Sequence, residues 1–145
     1  MASDEELFKT WLGGVTMNQL TLLKGNSGFE LPIEGNPNWI LKREAGYSAV
    51  QSLVAAAGAC GGYVYQHILE NSKIPYRFEK IEATYETSEI KPEPLTKISF
   101  IFYVDVAEEY RGRAERSLKL VSKNCPVIQS LDPKIEVIEA VRFVD

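Results

Sequence analysis

From Ala45 to Leu69 the chain runs through 25 residues without a formal charge. Within that stretch, between Ala49 and Gly62, the only polar side chains are Gln51, Ser52 and Cys60. Ser48 and Gln51 fit a capping box, in which a hydroxyl and an amide each satisfy an orphan backbone N–H. A long helix is therefore expected from Ser48 to about Ser72, with Pro75 helping to end it. A helix that is apolar all round must be covered all round. One small sheet covers one side, and a second copy of the chain is the simplest cover for the other. Gly58 and Gly62 stand four residues apart and would let another backbone approach closely. A membrane span is rejected, because the stretch is built mostly of Ala, Gly, Ser, Gln and Tyr and carries His67 near its end.

The segments around this helix alternate or punctuate in ways that predict strands. Asn18 to Lys24 and Phe29 to Ile33 flank the turn cluster Gly25-Asn26-Ser27-Gly28. An earlier strand is expected from Phe8 to Leu12, running into Gly13-Gly14. Asn36-Pro37-Asn38 reads as a loop. Phe78 to Thr87 alternates, with Ile81, Ala83 and Tyr85 on one face. Lys97 to Val106 follows, with Ile98, Phe100, Phe102 and Val104 inward, and the loop between them suits an antiparallel hairpin. Ala107 to Lys123 reads as a surface helix. Cys125-Pro126 starts a short second piece, since Pro is favoured at a first helical position. Lys134 to Phe143 closes the order as a strand. The expected class is α+β, a single domain over residues 1–145 whose sheet is mostly antiparallel.

Composition narrows the function classes. The chain is 45% hydrophobic and 25% charged, ordinary globular usage. Sixteen Lys and Arg against twenty Asp and Glu leave a net charge of −4, and no basic stripe tracks a phosphate backbone, so nucleic acid is not an expected partner. The opening Met-Ala-Ser-Asp-Glu-Glu has neither a basic nor an apolar signal region, which makes cytoplasmic residence, away from membranes, the default expectation. No metal-ligand spacing or Gly-rich phosphate loop is present, and no metal or cofactor is expected. One histidine makes a Ser–His triad a poor fit. Tyr63, Tyr65, Tyr76 and Tyr103 form an aromatic supply for a pocket or for packing.

Chemistry then falls to Cys60 and Cys125, which are two buried thiols or a redox pair. Cys60 lies twelve residues past Ser48, beyond the reach of the helix dipole. An apolar setting raises its pKa. His67 shares its helix face but is about 10 Å away along the axis. Cys125, before Pro126 and near Lys123, sits where N–H groups and the dipole favour a thiolate. Local physics thus makes Cys125 the more acidic thiol. A bridge between them would close a 65-residue loop.

Ser48-Ala49-Val50-Gln51-Ser52-Leu53-Val54-Ala55-Ala56-Ala57-Gly58-Ala59-Cys60 resembles the central helix of the OsmC/Ohr family, in which an Ala-rich stretch leads to a cysteine. Asn124-Cys125-Pro126-Val127 resembles that family's second cysteine motif, and the spacing and element order agree. The resemblance implies an OsmC-like fold, an intertwined homodimer, and active sites at the subunit interface. It implies reduction of organic hydroperoxides, with Cys60 attacking the O–O bond and Cys125 resolving the sulfenic acid. A dithiol reductant, lipoyl-type or a small thiol, then reopens the bridge. This reverses the local acidity ranking of the two thiols. The alternative is an OsmC-fold protein without turnover that binds an apolar or acyl ligand in the dimer cleft, or serves as a redox-sensitive partner. The family's glutamate position, ten residues before the first cysteine, is Val50 here, with Gln51 beside it. The family's arginine after a Gly-Gly is Val15 here. Arg43, in the loop before the helix, is the expected replacement cation, and Lys24 the second choice. Val50, Gln51 and Tyr63 are expected to line the pocket.

Overall fold

The computed structural model describes residues 18–145. The described residues form two compact units that divide after Ala49. The expected strand at Phe8 to Leu12, Gly13-Gly14 and Val15 lie outside the described residues.

In the first unit, three short strands form an antiparallel sheet: β1 (Leu23–Lys24), β2 (Phe29–Ile33) and β3 (Asn36–Ile40). The turn cluster lies where expected, with the Gly25 amide donating to the Gly28 carbonyl at 2.9 Å. Only the last two residues of the expected Asn18 to Lys24 strand pair with β2. Asn36-Pro37-Asn38 is not a loop but the first half of β3. The reversal is instead made at Glu34-Gly35, where Gly35 takes a φ of +73° that a side chain would disfavour. Pro37 is tolerated because β3 is at an edge among the described strands, where the missing N–H removes no ladder bond. After β3 the chain turns at Lys42, whose carbonyl accepts from the Gly46 amide at 2.8 Å.

The second unit is built on the long helix α1 (Ala49–Asn71). It is followed by β4 (Arg77–Thr87), β5 (Leu95–Asp105), α2 (Glu108–Ser117), a 3₁₀ turn at Leu118–Leu120, α3 (Val121–Asn124), α4 (Pro126–Gln129) and β6 (Glu136–Phe143). Strand β5 is central: β4 pairs with it antiparallel and β6 parallel. The β5–β6 pair is the one parallel pairing among the described strands. It follows from the helical connection, since parallel neighbours need a crossover long enough to carry the chain back.

The core is the contact between one face of α1 and the sheet. Ile98, Phe100, Phe102 and Val104 are fully buried, as the alternation predicts, opposite Val54, Ala57, Tyr65 and Leu69 of α1. Phe102 is the centre, with ring centroids 5.6 Å from Tyr65, 5.8 Å from Phe78 and 6.5 Å from Phe100. The Tyr65 hydroxyl donates to the Ala114 carbonyl at 2.7 Å, tying α1 to α2. Gly58 and Gly62 do not await another subunit's backbone. A Cβ on Gly58 would lie 2.9 Å from Phe100, and one on Gly62 2.6 Å from Ile81, so these glycines let α1 sit down on its own sheet. The opposite face is open in the single chain: Val50, Leu53 and Tyr63 are exposed by 42%, 41% and 72%, with Ala56 and Ala59 between them. No helix among the described residues is long and apolar enough to cross a membrane.

Candidate active site

Two segments far apart in sequence converge, α1 with Cys60 and the α3–α4 corner with Cys125. Cys60 is half-buried in the helix, between exposed Ala59 and buried Gly61. Cys125 is fully buried at the corner between α3 and α4, in extended conformation (φ −96°, ψ 110°) with Pro126 at the first position of the next turn. The Ser122 carbonyl holds that corner. It accepts the Cys125 amide at 3.4 Å and the Gln129 side-chain amide at 2.9 Å.

The two thiols are neighbours: Cys60 packs against the core cluster that contains Cys125, within range to influence its acidity. Cys125 is pushed up to about 11, first by burial and then by the nearby Cys60 side chain. Backbone N–H groups of Val127 and Ile128 oppose this, as expected of a helix start, but they lose. The expectation that the helix start favours a Cys125 thiolate is thereby corrected. The sequence shows the helix start but not the burial, and desolvation of a thiolate outweighs two N–H contacts. Cys125 is thus held in its protonated form at neutral pH.

A third group was missed. On β6, Val137, Val141 and Phe143 face the core, and Glu139 shares their face. Its Oε1 accepts the Ser122 hydroxyl, while Oε2 is buried without a partner among the described residues. Burial raises its carboxyl above the usual range, and the Ser122 hydroxyl only partly offsets this. The signal was available in the sequence: a carboxylate at an inward position of an alternating strand.

The remaining expected residues are spread out. Tyr63 lines two open grooves. One, of about 330 Å³, is walled by Ala59, Gly62, Phe78 and Ile81, with Gln66 and Lys80 as its polar members. The other, of about 490 Å³, adds Val64, His67, Ile68 and Asn124. Neither Val50 nor Gln51 lines either groove. Tyr65 is core, Tyr76 bonds Glu70 at 2.6 Å, and Tyr103 lies among Lys80, Glu82 and Arg142. Arg43 and Lys24 belong to the first unit and are exposed there. Lys24 donates to the Gly25 carbonyl at 3.0 Å, and Arg43 lies in the turn after Lys42.

The sequence model for OsmC-like proteins matches residues 42–139, a span containing both thiols and Glu139. The chain belongs to the OsmC-like protein family. Solved structures share the fold of this OsmC-like chain. An OsmC-like protein from Mycoplasma pneumoniae is 13% identical with a TM-score of 0.71, covering 90% of this chain and 99% of its own. A hypothetical protein from Aquifex aeolicus VF5 is 20% identical with a TM-score of 0.69, covering 90% and 100%. The organic hydroperoxide resistance protein OhrB of Bacillus subtilis is 18% identical with a TM-score of 0.58, covering 86% and 96%. No functionally curated protein shows significant sequence similarity to the chain.

Proposed function

We propose that this OsmC-like protein reduces organic hydroperoxides in oxidative-stress defence, with Cys60 as attacking and Cys125 as resolving thiol. The observation that supports it most is that Cys125, fully buried in the cluster against which Cys60 packs, is held protonated, well above the ordinary thiol range. A resolving thiol should wait in that form while the other attacks. The name of the Bacillus subtilis neighbour agrees with this reading.

The chemistry balances within the pair and one reductant. A Cys60 thiolate attacks the distal oxygen of ROOH, the O–O bond breaks, and RO⁻ takes up a proton to leave as the alcohol. Cys60 is left as a sulfenic acid, oxidised by two electrons. The Cys125 sulfur then bonds to Cys60 as the S–O bond breaks, and the departing hydroxide leaves as water with the Cys125 proton. A lipoyl-type or other small dithiol reduces the disulfide and is itself oxidised. Arg43 is the proposed cation for the Cys60 thiolate, as a guanidinium tolerates partial burial better than an ammonium, with Lys24 second.

Mixing reduced protein with a low-micromolar alkyl hydroperoxide should consume two thiols per chain. It should lower the mass by about two daltons and yield a peptide linking Cys60 to Cys125. Slow loss of thiols, equal for alkyl and hydrogen peroxide, would overturn the reading. That outcome would favour ligand binding without turnover, which the apolar groove beside Tyr63 and the apolar Val50 support.

We further propose a homodimer closed over the open face of α1. An isologous contact is the commonest way to bury such a stripe, and an obligate one covers more than about 2,000 Å². Sedimentation at micromolar concentration should show a dimer, and Leu53→Glu should shift it towards monomer. A wild-type monomer would sink the assembly.

A further inference from the structure

We infer that Glu139 is a positioning residue for the thiol pair: it anchors Ser122 to β6, directly beneath Gly61, and so holds the Cys125 corner against the turn of α1 that carries Cys60. One carboxyl stands between the two cysteine-bearing segments. Its Oε1 takes the Ser122 hydroxyl, and the Ser122 carbonyl in turn takes the Cys125 amide and the Gln129 side chain. Its Oε2 lies under Gly61, the residue after Cys60, where a Cβ would come within 3.4 Å of it.

Packing alone gives no reason for an acid here. Its in-phase neighbours Val137 and Val141 are apolar, and β6 pairs it with buried Phe100. A buried carboxyl with an unpartnered oxygen weakens a fold, and an apolar side chain would serve packing better. Places where a sequence breaks its own local pattern at such a disadvantage are expected at functional sites. Burial also raises the carboxyl's pKa, with the Ser122 hydroxyl offsetting part of it.

The inference rests on the reading of Cys60 and Cys125 as a reactive pair, but not on hydroperoxide as the oxidant. It is therefore tested with diamide, a diazene that takes two electrons and two protons from the pair to become the hydrazine, and with dithiothreitol redox buffers. In the full-length protein, Glu139→Leu should slow bridge formation by at least about tenfold. The bridge equilibrium should fall by a similar factor, about 30 mV in potential, with a thermal midpoint equal to or above the parent's. Glu139→Gln keeps a carbonyl acceptor for Ser122 and should stay within about threefold of the parent. Ser122→Ala leaves the core untouched and should reproduce the defect, with no further loss in the double variant. Parental bridging in Ser122→Ala, or equal loss in the Gln and Leu variants, would overturn the role. A parent that bridges with diamide but ignores alkyl hydroperoxides would sink the peroxidase reading and leave this one standing.

Discussion

Cys60→Ser is expected to lower alkyl hydroperoxide reduction by at least about 10³-fold, the scale of loss when a covalent nucleophile is removed. No other thiol inherits the role, because Cys125, the one other cysteine of the sequence, is fully buried and burial by itself raises its pKa. Cys125→Ser should behave differently. The first peroxide equivalent is reduced at a rate near the parent's, after which Cys60 is left as a sulfenic acid with nothing to condense with. Repeated peroxide should then drive it to sulfinic and sulfonic acids, which dithiols do not reverse. Stopped-flow single turnovers with mass spectrometry of the products distinguish the two variants. Equal first-turnover rates in Cys60→Ser and the parent would assign the attack to another group.

Phe102→Ala is expected to destabilise the second unit by about 3–5 kcal/mol, the cost of removing a fully buried phenyl and leaving a cavity. The loss should fall at the upper end. Phe102 packs against three other rings, and its edge lies 3.4 Å from where a Cβ on Gly61 would be, so it also supports the helix turn beside Cys60. The fragment cannot collapse into the gap, since Phe100 and Tyr65 are already fixed by the sheet and by the Ala114 carbonyl. Urea unfolding should show a lower midpoint with an unchanged slope. A loss under about 1 kcal/mol would mean the core around Phe102 repacks freely.

Local patterns gave most of the secondary structure and the pair itself. The alternation of Ile98, Phe100, Phe102 and Val104 named the core face, and two short motifs named both thiols. What failed depended on three-dimensional neighbours. Asn36-Pro37-Asn38 reads as a loop because Pro and Asn disfavour strands, yet the edge position of β3 removes the objection. Gly58 and Gly62 signalled close approach correctly, but their partner is the side chains of the same sheet. The acidity of Cys125 depended on burial, which no residue near it announces. Glu139 was passed over because a carboxylate in a strand ordinarily marks the solvent face, and its phase with Val137 and Val141 was the only clue.

The parallel pairing of β6 beside β5 has a consequence for biosynthesis. Residues 60 and 125 both leave the ribosome before the strand that carries Glu139, so the finished corner is the last part of this unit to assemble. Non-local parallel pairing also forms slowly compared with helices and hairpins. During that interval a nascent chain already contains both thiols, while the strand that packs beneath them is still absent. Under the proposed function, a chain stalled or truncated before β6 should therefore carry both cysteines without the Glu139 contact that seats their corner, and should bridge them less readily than the folded unit.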